Sequence, residues 1–128
     1  MGMLTLGLAL AQAAADLPIR VPLGEIPLPE AKLVERVVVM RVNFGPGQEM
    51  PWHVHPAPVV CVVENGSFSA QIGNAPARIV HVGDVTLEPA NVPIGGFRNL
   101  SATESASLLC TFLAGHDDHE LSRMLPRR

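Results

Sequence analysis

The sequence predicts an all-β single domain, a barrel or double-sheet jelly roll, on three observations. Short runs rich in Val, Ile, Phe and Thr recur along the chain, separated by Gly, Pro and Asn. Gly (11) and Pro (12) are abundant among 128 residues, which favours turns over long helices. The length matches one domain at ~100–200 residues each, with 48% apolar and 16% charged residues available to build and solvate one core.

The elements follow in order. Residues 1–15 (MGMLTLGLALAQAAA) carry no charge, and the first basic residue is Arg20. The apolar run over 3–11, followed by Ala11-Gln12-Ala13 and Ala13-Ala14-Ala15, has the core length and small-residue spacing of a signal peptide, without its basic leading region. The expectation is a signal peptide or its remnant, and with it a periplasmic or secreted protein. The alternative is an apolar segment packed on the domain or on a second subunit, and then a cytoplasmic one. Leu6 breaks the myristoylation pattern. Residues 16–33 hold Pro18, Pro22, Pro27 and Pro29 and read as an extended arm.

Residues 34–114 then carry the barrel, with strands expected at 34–44, 59–64, 67–72, 77–82, 85–88 and 107–113. Asn65-Gly66 lies between two of them and predicts a type I′ hairpin, which needs positive φ at both central residues. Gly73-Asn74 and Gly83-Asp84 mark further turns. Residues 115–128 form a polar tail in which 117–124 is the one segment with helical potential.

Composition also excludes classes of function. A net charge of −3 with no basic stripe argues against nucleic acid. No apolar run reaches the ~20 residues of a membrane span. There is no phosphate-cradling glycine loop, no G-x-S-x-G elbow and no C-x-x-C pair.

Chemistry concentrates at His53-Val54-His55. Residues two apart on a strand share a face, with Cα atoms ~6.6–6.8 Å apart, so two imidazoles can converge on one cation at ~2.0–2.1 Å per nitrogen for zinc. Alternation places Val59, Cys61 and Val63 on the same inward face. Cys61 is then a small buried hydrophobe, a soft ligand, or the partner of Cys110 if their Cα atoms approach within ~7 Å. Glu49 is a further candidate donor, and His116 and His119 in the tail suit a solvated surface better than a buried site.

The frame around the histidines resembles the cupin superfamily. Gly47, five residues, His53-Val54-His55 and then Gly66 follow its first motif, and Gly83-Asp84, Pro89 and Asn99 follow its second. The resemblance covers about 34–113 and implies a cupin-type jelly-roll barrel, commonly dimeric, with a four-ligand metal site. Departures stand at the ligands. The glutamate position falls on Val59, the second-motif histidine on Ile94 and the glycine before it on Asn91. Gly95-Gly96-Phe97-Arg98 also contains one residue too many. Of the four ligands only His53 and His55 remain, short of the three typical of a catalytic site and without the carboxylate of a 2-His-1-carboxylate site.

The expected site is therefore an apolar pocket around His53 and His55, walled by Val59, Cys61, Val63 and Ile94, whose burial favours neutral imidazoles. The favoured function is binding of a small, largely apolar molecule, with at most one weakly held divalent metal (Fe, Mn, Zn, Ni or Cu). One alternative is a metal-dependent enzyme of the dioxygenase or isomerase type, with His53, His55 and further donors. Another is an interaction module whose cavity is filled by its own side chains. The arm suggests a homodimer, since it can add to a neighbour's sheet edge.

Overall fold

The computed structural model describes residues 17–126, so the expectations for residues 1–15 lie outside the described residues. Among the described residues ten strands follow one another: β1 (Arg36–Phe44), β2 (Glu49–Met50), β3 (His53–Val54), β4 (Val59–Asn65), β5 (Ser67–Ile72), β6 (Arg78–His81), β7 (Val85–Glu88), β8 (Ile94–Asn99), β9 (Ala106–Ala114) and β10 (Arg123–Met124). They form two antiparallel sheets, one ordered β1-β9-β4-β7 and the other β10-β3-β8-β5-β6 with β2 also on β8. This is the all-β jelly roll that the sequence predicts. The six expected strands are present, and β2, β3, β8 and β10 add to them.

Alternation builds the core. In β4 and β9 every second residue is buried, so Val59, Cys61 and Val63 face Phe112, Cys110 and Leu108 across the ladder and turn inward together. Phe44, Phe68 and Phe97 meet at the centre with ring centroids 5.0–6.3 Å apart, two of the three pairs edge to face, an arrangement aromatic quadrupoles favour. The ladder also sets Cys61 directly opposite Cys110. Their Cα atoms lie 4.1 Å apart and the two sulfurs form a disulfide.

Two local expectations give way. Asn65-Gly66 is not a hairpin, because β4 and β5 belong to different sheets and the pair turns a corner between them. Only Gly66 has positive φ (78°), and a Cβ there would stand 2.6 Å from the Cβ of Ala106. Glycine is required by the close approach as well as by the dihedral. The segment 117–124 forms no helix; eight residues are too few to be helical without support, and packing supplies a better outlet. Leu125 N–H donates to the Trp52 carbonyl (2.8 Å), β10 pairs with β3, and Leu121 packs on the core. Residues 121–125 form part of the barrel wall.

The extra residue of the 95–98 stretch is absorbed as a β-bulge. Between the pairs Ser69↔Arg98 and Gln71↔Gly95 the register shifts by one, and Gly96 takes φ 56°, the left-handed conformation that a bulge often assigns to glycine. Gly95 faces Trp52, whose ring atoms would lie 2.1 Å from any Cβ added there. Residues 17–35 run without strand pairing ahead of β1, and are pinned near their end where Lys32 Nζ donates to Asp118 Oδ2.

Candidate metal centre

His53 and His55 enter the barrel from β3 and the residue just beyond it, 5% and 4% exposed, with ring centroids 4.8 Å apart in an edge-to-face arrangement. Each ring is oriented by a backbone carbonyl. His53 Nδ1–H donates to the Pro51 carbonyl (2.7 Å) and His55 Nδ1–H to the Leu121 carbonyl (2.8 Å), with the Ser122 hydroxyl oxygen also 3.0 Å from His55 Nδ1. A carbonyl oxygen only accepts, so both Nδ1 atoms carry hydrogen and both Nε2 atoms remain for other partners. This backbone clamp is the usual way a ligating histidine has its tautomer fixed.

The third member is Glu88, at the end of β7 and 4% exposed, whose Oε2 lies 2.7 Å from His55 Nε2. The ligand atoms of His53, His55 and Glu88 all fall within 4.8 Å of one another. Reading the residues alone missed Glu88. The first-motif glutamate position is occupied by Val59, and Val59 pairs directly with Glu88 across the β4–β7 ladder. Opposed residues hold their Cβ atoms ~4.5–5.5 Å apart, so a carboxylate on β7 reaches the region that a side chain at position 59 faces. The signal in the sequence was period two in Val85-Thr86-Leu87-Glu88, which sets Thr86 and Glu88 on one face.

Burial lowers the His55 pKa, but the Glu88 hydrogen bond, the Leu121 carbonyl and the Glu88 charge together outweigh it, so the imidazole stands above its ordinary 6.5. The downward shift expected from burial alone is thus corrected for His55, whose pKa is raised. Without a metal, one proton bridges His55 Nε2 and Glu88, which satisfies two groups that would be costly to bury unpaired. With a divalent ion the same atoms become donors. Tetrahedral ligands at 2.0–2.1 Å stand ~3.3 Å apart, so the 2.7 Å His55–Glu88 separation needs only a small opening. Two imidazoles and one carboxylate fit a divalent first-row metal with coordination positions left open.

These residues close the polar end of a cavity of about 180 Å³, otherwise lined by side chains such as Met40, Met50, Phe97, Leu108, Phe112 and Met124. Val59 also lines it. Cys61, Val63 and Ile94 do not; they are packed in the core, Cys61 bonded to Cys110, whose side chain does border the cavity. Ile94 pairs with His53 and is fully buried, so the position of the resemblance's third histidine carries a packing residue. Asn91, at its glycine position, has φ 61°, a conformation asparagine tolerates better than most residues. Glu49 pairs with Arg98 on β2 and is exposed. His81, His116 and His119 are exposed and lie outside this group.

Fold and site together define a two-sheet β-barrel with a buried His-His-carboxylate cluster at one end. Residues 40–112 match the cupin domain family, and the chain belongs to it. Among solved structures the chain is similar to a cupin-like protein from Thermotoga maritima (28% identity over 70% of this chain and 64% of that one, TM-score 0.59). It is also similar to a DMSP lyase (24%, 72% and 45%, TM-score 0.60) and to oxalate oxidase (23%, 70% and 46%, TM-score 0.61). The chain thus spans about half the length of the lyase and the oxidase, and at those identities the likeness shows the fold. A search of curated proteins finds no match.

Proposed function

We propose that this cupin holds one divalent metal through His53, His55 and Glu88 and uses it on a small molecule bound in the adjoining cavity. The observation that carries this reading is the pair of backbone clamps beside a buried carboxylate: both Nδ1 atoms are committed to carbonyls, His55 Nε2 lies 2.7 Å from Glu88 Oε2, and the ligand atoms of the three residues gather within 4.8 Å. The metal, when bound, would supply Lewis-acid polarisation of a ligand oxygen. The chain does the rest. Pro51 and Leu121 keep the rings in their ligating tautomer, Glu88 offsets the ion's charge, and the apolar lining excludes water and strengthens electrostatics at the polar end. Among Fe, Mn, Zn, Ni and Cu, the 2-His-1-carboxylate set with open positions favours Fe(II), and metal-dependent dioxygenase or isomerase chemistry is the class it suits.

Metal analysis of the purified full chain, with zinc titration of the EDTA-treated protein, tests this. The expected result is about one ion per chain, lost in the His53→Ala/His55→Ala variant. Absence of binding in the parent, or retention of the ion in that variant, contradicts it.

A second reading is favoured by the His55–Glu88 hydrogen bond, which satisfies both groups with a proton alone. On that reading the protein binds its small molecule without metal, and saturable ligand binding would persist in EDTA.

The same proposal includes a homodimer. Leu17, Ile19, Val21 and Leu23 alternate along the arm and are 60–91% exposed, and Val37 and Val39 lie bare on β1, an edge strand. Exposed apolar side chains beside an open edge call for a cover, and the arm of a second copy is of the right kind. Light scattering should give twice the chain mass, falling to one when residues 1–33 are removed. The disulfide of Cys61 and Cys110 supports an oxidising compartment, periplasmic or extracellular.

A further inference from the structure

The cavity's walls restrict what the site can accept, independently of the reaction. Its volume is about 180 Å³, below the ~300–1,000 Å³ of pockets for drug-sized ligands and slightly above the ~150 Å³ that accommodates benzene. The bulk of the lining is thioether, phenyl and aliphatic: Met40, Met50, Met124, Phe97, Phe112 and Leu108. Polar atoms gather at one end only, on His53, His55, Glu88 and Ser122, and no Lys or Arg lines the cavity among the described residues.

Met40 and Met124, 40% and 53% exposed, stand where the cavity meets solvent, so a ligand with a charge at each end either sets one of them among methionine and phenylalanine without a counter-ion, at a cost of several kcal/mol, or reaches past these residues and gives up contact with the walls. A ligand with one oxygen-bearing end loses nothing by burying the other. Flexible methionines make favourable sulfur contacts with aromatic rings, and edge-to-face phenyl contacts favour a flat ring again. We infer that the cavity takes a single-ring aromatic of the phenol class, neutral or singly charged, with its oxygen toward His53, His55 and Glu88, and that it prefers such a ligand to dianions and to two-ring ligands, which overfill it and extend past Met40 and Met124 into water. This rests on the site reading above for the orientation of the oxygen; the size and charge limits belong to the walls.

Calorimetric titration of the full chain with phenol, 1-naphthol and oxalate tests it, each run on zinc-loaded and on EDTA-treated protein. The expected result is saturable phenol binding at least tenfold tighter than that of 1-naphthol and of oxalate in both preparations. Oxalate or 1-naphthol binding as tightly as phenol in either preparation overturns the inference, as does failure of phenol to bind in both. If zinc fails to bind, the metal reading falls while the EDTA series still tests the walls. Two variants locate the binding. Met50→Trp, which fills the cavity, should weaken phenol tenfold or more while leaving zinc stoichiometry unchanged. Met40→Ala, which widens it, should bring 1-naphthol to within about twofold of phenol. Unchanged phenol affinity in the first variant, or unchanged discrimination in the second, would put binding elsewhere.

Discussion

At the scale of single residues, the proposed metal site turns on Glu88, which stands opposite Val59 rather than at that position. Val59 cannot ligate a metal, yet Glu88 directly across the ladder can, and it already touches His55 at 2.7 Å. The proton they share makes the site pH-sensitive in a defined direction. Because the folded pKa of His55 is raised, its contribution to metal-free stability is present below the ordinary 6.5 and fades as pH rises through the folded value. Metal must displace that proton, so affinity should fall as pH decreases through the raised pKa. Zinc added to weakly buffered protein near neutral pH should release a proton, detectable with an indicator dye, and Glu88→Gln should abolish most of the release. Thr86 makes a separate case. Its buried Oγ1 has no hydrogen-bond partner among the described residues, and a buried unpaired hydroxyl costs ~1–3 kcal/mol. Thr86→Val should therefore raise stability by about 1 kcal/mol in urea unfolding; a loss of stability would show that the hydroxyl is satisfied in solution.

At the scale of elements, β10 is the least expected and the most consequential. The tail His116-Asp117-Asp118-His119-Glu120 looks solvated by composition, and those residues are indeed mostly exposed. What the composition conceals is that the next residues, Leu121 to Leu125, bond to His55 and Trp52 and border the cavity. A carbonyl acceptor leaves no mark in a side-chain pattern, so this support of the site was not legible. Removing residues 120–128 should weaken metal binding ~10–100-fold, the usual effect of losing an orienting partner, while circular dichroism keeps its β signature. The corner at Gly66 was misread for a related reason. Local signals identify a turn, but which sheet receives the next strand is decided by contacts far along the chain, here with Ala106. The bulge at Gly96 shows the reverse, since the extra residue was visible in the spacing and only its structural form was open.

At the scale of the whole molecule, the fold was the most legible feature, because period-two burial is clean in the long strands β4 and β9, turn residues recur between strands, and errors in one element leave the rest standing. Val59, Cys61 and Val63 were placed inward by alternation, and they are inward; which of them reaches the cavity depends on depth within the barrel, which alternation does not encode. The pairing of Cys61 with Cys110 joins positions 49 residues apart, a loop whose closure is worth about 4 kcal/mol in the chain-entropy account. Reducing it should lower the unfolding free energy by ~2–4 kcal/mol, read as a shift of the urea midpoint with and without dithiothreitol.

The role proposed for Glu88 is tested most directly by shifting its carboxylate to the opposed position 59. Metal content per chain should fall from about one to near zero in Glu88→Gln and recover when Val59→Glu is added to that variant. A full complement of metal in Glu88→Gln alone would contradict the account, because the ion would then be held without the residue on which the site depends.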